Sequence, residues 1–283
     1  MRGHRVRTSS QSHSKTIGPR TAQVTTALYD RARTIFTLAD VEEITGLNPA
    51  SARSLIRNAT ARGIVSRLEP GLFVLVPPEL GSASEFSGNP YLTARELAGG
   101  RDYYISHASA MELHRMVTQP QFVVFTSTAK RLRNKSIHGT EFRFVHQKPA
   151  SLFGIANHWV TKQEAVKISD LDRTIIDGLK HPEYCGGVTE VAKGLWIRRA
   201  DVKAARLVDY ALRLGVGAVI RRLGYLLELY GIAGRADLGR LRPALTGTYV
   251  LLDPIMPLEG RYRSGWRLRL NIPVDELMAI RST

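Results

Sequence analysis

The chain has 283 residues, with 40 Lys and Arg against 25 Asp and Glu, a formal net charge of +15 and a pI near 10.3. That charge favours an anionic partner but says nothing of the fold. A hydrophobic content of 43% excludes a wholly disordered chain, the lack of any run of 18 apolar residues excludes a helical membrane span, and a single cysteine, Cys185, excludes an internal disulfide or a cysteine-based zinc site. A cytoplasmic protein is the natural expectation.

The first twenty residues are basic and polar and lack an apolar stretch, so residues 1–20 are expected to form a disordered basic arm and not a secretory signal. A tighter set of signals follows. Thr37 and Asp40 stand three apart ahead of Val41 and Ile44, a capping box with Asp in place of Glu. Gly46 can take the positive φ that ends a helix, Asn48 can cap the next one, and Pro49 suits its first position. The spacing predicts a helix over about 49–62.

On that helix Ala52, Leu55, Ile56 and Ala59 fall on one side, and Arg53, Ser54, Arg57 and Asn58 on the other. The outer face offers two guanidinium forks, an amide and a hydroxyl, with no acid. Arg to guanine and Asn to adenine are the common pairings in the major groove, and a second helix of such a pair is the reading helix. The run 64–75 reads as two short strands joined at Glu69, Pro70 and Gly71, a wing with Arg67 near its tip. The candidate DNA-contacting residues are therefore Asn48, Ser51, Arg53, Ser54, Arg57, Asn58 and Arg67, and the expected partner is double-stranded DNA.

Residues 21–78 are predicted as this winged helix-turn-helix, and the Pro-, Gly- and Ser-rich stretch 79–90 as a linker. Beyond it, over 91–283, helices are expected at 91–98 and 107–116. Paired strands are expected at 121–125 and 141–145, with the basic loop 130–135 between them. A strand at 165–168 leads to a helix starting near Asp170, and two further helices break at Gly215 and Gly231. In the second of these Val219, Ile220, Leu223, Leu226, Leu227 and Tyr230 make an apolar face, while Arg221, Tyr225 and Glu228 point away. Strands at 249–253 and 266–271 end a larger mixed domain, so the fold class is α+β.

Enzyme signatures are weak. Nucleotidyltransferase, P-loop and dinucleotide-binding fingerprints are absent. Glu164, Lys167, Asp170, Asp172 and Asp177 can be assembled on paper into a metal-dependent nuclease. Asp172 and Arg173 instead suit a helix start and Asp177 a surface position. The histidines at 107, 114, 138, 146 and 158 lack metal-ligand spacing and suit packing or surface roles. No cofactor, metal or catalytic residue is expected.

Several blocks occur in order: His107–His114 (HASAMELH) with Gln119-Pro120; 169–177 (SDLDRTIID) with Pro182-Glu183 and Gly186-Gly187; 221–228 (RRLGYLLE); Leu252-Asp253-Pro254; and 266–273 (WRLRLNIP). Together they resemble the AbiEi family of antitoxins from bacterial type IV toxin–antitoxin (abortive-infection) systems, which are also transcriptional regulators. The resemblance runs from about residue 20 to the end, and 221–228 is its most specific piece. It implies an N-terminal winged helix that binds inverted repeats in the promoter of its own operon and represses it. It also implies a C-terminal antitoxin domain that neutralises a nucleotidyltransferase toxin without a stable complex and assists cooperative DNA binding. The motif match carries the neutralising role onto Asp172, Arg173, Asp177, Arg221, Arg222 and Glu228. Arg–Asp and Arg–Glu pairs that merely hold helices together are the structural alternative. A stand-alone regulator without a toxin, and a pure interaction module, are the other functional ones.

Overall fold

A computed structural model describes residues 15–117 and 122–282. The fold is α+β. The chain divides into two compact units, the first comprising residues up to Thr93 with Ile137–Gly139, the second Ala94–Ser136 with Thr140 onward.

In the first unit, α1 (Pro19–Asp30) starts with proline at its first position. The basic arm expected over 1–20 is thus helical by residue 19, and residues 1–14 lie outside the described residues. Strand β1 (Ile35–Thr37) runs straight into α2 (Leu38–Thr45). The capping box is formed: the Thr37 N–H donates to the Asp40 carboxylate at 2.7 Å, and the Asp40 N–H returns to the Thr37 hydroxyl at 3.4 Å. Arg33 grips the same carboxylate at 2.8 Å. Burial opposes ionisation of Asp40, but the Thr37 donors and Arg33 outweigh it and hold its pKa below the ordinary 3.8.

Gly46, at φ 66°, ends α2 with its N–H on the Glu42 carbonyl, and only a residue at home in the left-handed region makes that turn without strain. Helix α3 (Pro49–Ala61) follows, with the hairpin β2 (Val65–Glu69) and β3 (Leu72–Leu75) behind it. The three strands form an antiparallel sheet in the order β1-β3-β2. Ala52, Ile56 and Ala59 of α3 share one core with Val24 and Leu28 of α1, Val41 of α2, and Phe36 and Phe73 of the sheet.

The second unit opens with α4 (Pro90–Ala98), within which the division falls, then β4 (Tyr103–Ile105) and α5 (His107–Leu113). Strands β5 (Val123–Thr128), β6 (Lys135–Ile137), β7 (Thr140–His146), β8 (Ile155–Trp159) and β9 (Ala165–Ser169) complete a six-stranded sheet of order β6-β7-β5-β4-β9-β8. The strands expected at 121–125 and 141–145 are β5 and β7, and they pair in parallel. Gln119, Pro120 and Gln121 lie outside the described residues.

Helices α6 (Leu171–Lys180), α7 (Val188–Ile197), α8 (Ala204–Leu214), α9 (Gly217–Tyr230) and α10 (Arg235–Leu241) follow. A small sheet is built from β10 (Val250–Leu251), β11 (Arg261–Arg263) and β12 (Leu268–Leu270), and α11 (Val274–Ala279) comes last. Gly215 and Gly231 close α8 and α9 in the left-handed conformation, as their positions predict. The strands expected at 249–253 and 266–271 shrink to β10 and β12, because Trp266 belongs to a 3-10 turn and Arg267 takes φ 51°.

Two expectations are corrected here. Arg221 and Tyr225 do not point away from the core: they are 3% and 5% exposed, because α9 packs against α6, α8, α10 and the Trp266 turn and is covered on nearly every side. Asp177 is not a surface residue but fully buried. Among the described residues no helix is long and apolar enough to cross a membrane.

Candidate nucleic-acid interface

The outer face of α3 is set by its first residues. Asn48, in extended conformation, accepts the Ser51 N–H at 2.9 Å, and Pro49 pre-sets the first turn. With the inner face fixed by Ala52, Ile56 and Ala59, Asn48, Arg53, Arg57 and Asn58 are exposed, and Ser51 and Ser54 are half-buried. The Arg57 guanidinium donates to the Ser54 hydroxyl at 3.4 Å, which ties two candidate contacts into one array.

Two carboxylates of α2 are engaged elsewhere: Glu43 with Arg31 at 3.0 Å and Asp40 with Arg33 at 2.8 Å. Arg53 and Arg57 have no ion pair among the described residues, so their charge is presented to solvent. The carbonyls at the end of α2 are tied to α1, where Gln23 donates to Ile44 O at 3.1 Å and Arg20 to Thr45 O at 3.3 Å. The start of α3 therefore has a fixed platform.

On the hairpin, Arg67 is exposed and lies opposite Phe73, and the pairing shifts register between Arg67 and Glu69. A bulge of this kind re-aims a side chain. Behind it the Ser66 hydroxyl meets His138 Nε2 at 3.0 Å and accepts the Phe86 N–H at 3.2 Å. That anchor joins residues far apart in sequence, and nothing in the local sequence signals it.

The six residues carried over from the family resemblance do not gather into one site. Arg173 and Asp177 pair at 2.9 Å, both fully buried, and Tyr104 closes a triangle by donating to Asp177 at 3.0 Å and accepting from Arg173 at 3.0 Å. The Arg173 guanidinium also lies 4.2 Å from the centre of the Phe153 ring. Asp172 faces another way, onto the Arg206 guanidinium and the Lys203 N–H. Burial outweighs these partners and lifts its pKa above the ordinary carboxylate value.

Arg221 donates to the Thr246 hydroxyl at 2.7 Å and to the Thr248 carbonyl at 3.2 Å. Arg222 donates to the Leu179 carbonyl at 2.6 Å and to that of Leu251. Exposed Glu228 accepts the indole N–H of Trp266. The acids of the nuclease alternative are likewise engaged: Glu164 by Arg95 at 2.9 Å, and Asp170 by the Arg173 N–H at 2.7 Å and the Tyr210 hydroxyl at 2.8 Å. Among the described residues no three His, Cys, Asp or Glu side chains are grouped to hold a metal ion.

Sequence reasoning missed Tyr104, on a three-residue strand with no alternating pattern, and the character of His107. The latter is fully buried at φ 52°, with Nδ1 2.8 Å from the Ser106 hydroxyl and Nε2 without a hydrogen-bond partner among the described residues. Burial pushes its pKa down to about 4.

No protein-family profile and no curated protein matches the chain. Among solved structures, the chain is similar to the RV2827C protein from Mycobacterium tuberculosis, with a TM-score of 0.68 and 18% identity, over 96% of this chain and 97% of that one. At that identity the likeness establishes the α+β fold alone.

Proposed function

We propose that the first unit is a winged helix-turn-helix that binds double-stranded DNA, and that the chain is an AbiEi-type antitoxin and repressor of its own operon in the cytoplasm. The observation that carries the DNA-binding reading is the outer face of α3: Arg53, Arg57 and Asn58 face solvent beside half-buried Ser54 on a doubly anchored helix, with no acid among them. That face matches the donor and acceptor pattern of the major groove. Arg67 reaches a phosphate from the hairpin, a contact that positions without specifying sequence. Footprinting on the DNA upstream of the gene tests this, and protection of an inverted repeat is the expected result.

The antitoxin role rests on the order of the C-terminal sequence blocks. In that reading the second unit acts on a nucleotidyltransferase toxin without forming a stable complex. Co-expression with the product of the adjacent gene tests it: growth rescue supports the antitoxin role, and no toxicity to rescue makes the chain a stand-alone regulator. The reading needs no metal or cofactor. The nuclease alternative finds its acids already held by Arg95, Arg206, Tyr210 and Arg173.

A further inference from the structure

The second unit carries a basic and aromatic surface of its own. From Arg242 to Arg269 the sequence places five arginines against two acids, Asp253 and Glu259. Asp253 is 2% exposed and turned inward, accepting the N–H groups of Val188 at 2.7 Å and Ile255 at 3.0 Å. Glu259 is then the one exposed acid in that stretch.

The antiparallel register of β11 and β12 sets Tyr262 opposite Arg269, with the guanidinium 5.6 Å from the ring centre. Arg267 lies 5.6 Å from the Tyr249 ring and donates to its hydroxyl at 3.2 Å. The two tyrosine rings meet edge to face with centroids 5.0 Å apart. Tyr262 is nonetheless 65% exposed, and Arg261 and Arg263 beside it are exposed as well. Arg261, Arg263, Arg267 and Arg269 have no ion pair among the described residues. The guanidinium groups are attracted to the ring faces and help hold the rings in place, while much of Tyr262 stays open to solvent.

Clustered guanidinium groups attract phosphates, and a rigid exposed ring offers a stacking platform to any base with a free π-face. A duplex keeps its bases stacked on one another and offers none. We propose that the sheet of β10, β11 and β12 binds single-stranded nucleic acid, with a base stacked on Tyr262, the backbone beside Arg267 and Arg269, and Arg261 and Arg263, which alternate to the other face of the edge strand β11, meeting the backbone as it passes that edge.

Fluorescence anisotropy of the full chain with labelled dodecamers of deoxythymidine and of uridine tests the proposal. Saturable binding to either strand is expected, with a salt slope of about −0.7 per phosphate contacted. Tyr262→Ala, and Arg261→Ala with Arg269→Ala, should each weaken it about tenfold or more, whereas Tyr262→Phe should retain it. The Arg53→Ala/Arg57→Ala variant should bind the single strands like the parent. An unchanged urea midpoint read by tryptophan emission shows that each variant is folded. Binding to neither strand would overturn the proposal. So would a Tyr262→Phe loss equal to that of Tyr262→Ala, or an equal loss on a duplex of the same length.

Discussion

Asp177→Ala separates a structural from a functional role for the Arg173–Asp177 pair. The substitution leaves the Arg173 guanidinium fully buried, with the Tyr104 hydroxyl and the Phe153 ring but no counter-charge. Breaking a buried ion pair from one side costs about 3–5 kcal/mol, because the remaining charge keeps its desolvation penalty. Removing both charges together, in Arg173→Met/Asp177→Leu, should recover most of that loss. About 1 kcal/mol should remain for the buried Tyr104 hydroxyl, left with Ser127 alone, and adding Tyr104→Phe should remove most of it. Urea unfolding read by tryptophan emission is a clean assay, since Trp159, Trp196 and Trp266 all belong to the second unit. A cost below about 1 kcal/mol for Asp177→Ala, or a double variant as damaged as the two single changes summed, would refute this reasoning. If the folded double variant still neutralises a toxin in co-expression, the pair's contribution is architectural.

Three further outcomes follow from the same geometry. The unfolded chain protonates His107 near pH 6.5, while the folded state resists until about 4; this group's contribution should therefore be fully present above 6.5, fall by about 1.4 kcal/mol per pH unit between about 6.5 and 4, and change no further below that. Urea midpoints at pH 7 and 5 should fall less in His107→Asn than in the parent, and an equal fall would count against the assignment. Asn48→Ala removes the acceptor of the Ser51 N–H, worth about 1 kcal/mol, so amide exchange across α3 should accelerate about fivefold; unchanged protection would show the cap to be idle. Gly224→Ala drives a methyl group into the Trp266 ring. Overpacking should cost about 3 kcal/mol and shift the tryptophan emission, and a parent-like spectrum and midpoint would contradict the close packing.

What the sequence made legible was chemistry confined to a few residues. The Thr37–Asp40 box, Gly46, Asn48 with Pro49, and the turn at Pro70 and Gly71 each act over three or four positions, and the helix expected at 49–62 is Pro49–Ala61. Gly215 and Gly231 worked for the same reason. Helix α1 went unforeseen because its apolar stripe is thin, with Val24 and Leu28 its only aliphatic core residues. Strand β4, three buried residues long, has no alternation to read. Charged residues misled most. Asp177 and Arg221 look like surface groups by type; apart from Arg173, one turn from Asp177, their partners lie far along the chain at Tyr104, Thr246 and Thr248.

The RRLGYLLE and WRLRLNIP blocks, which signal a family resemblance, turn out to meet. Gly224 makes room for the Trp266 ring, and Glu228 takes its indole N–H. Packing explains that part of the pattern. The exposed face of α3 needs no such explanation, since Arg53, Arg57 and Asn58 support nothing in the core.

The most direct measurement is a binding titration of the full chain with its own upstream DNA at two salt concentrations, beside Arg53→Ala, Arg57→Ala and Arg67→Ala. Each α3 variant should lose about 1–3 kcal/mol of specific binding and discriminate less against unrelated DNA. Arg67→Ala should weaken binding to all sequences alike and lower the salt slope by about 1. Upstream DNA bound no better than unrelated DNA, with affinity indifferent to Arg53 and Arg57, would contradict the account.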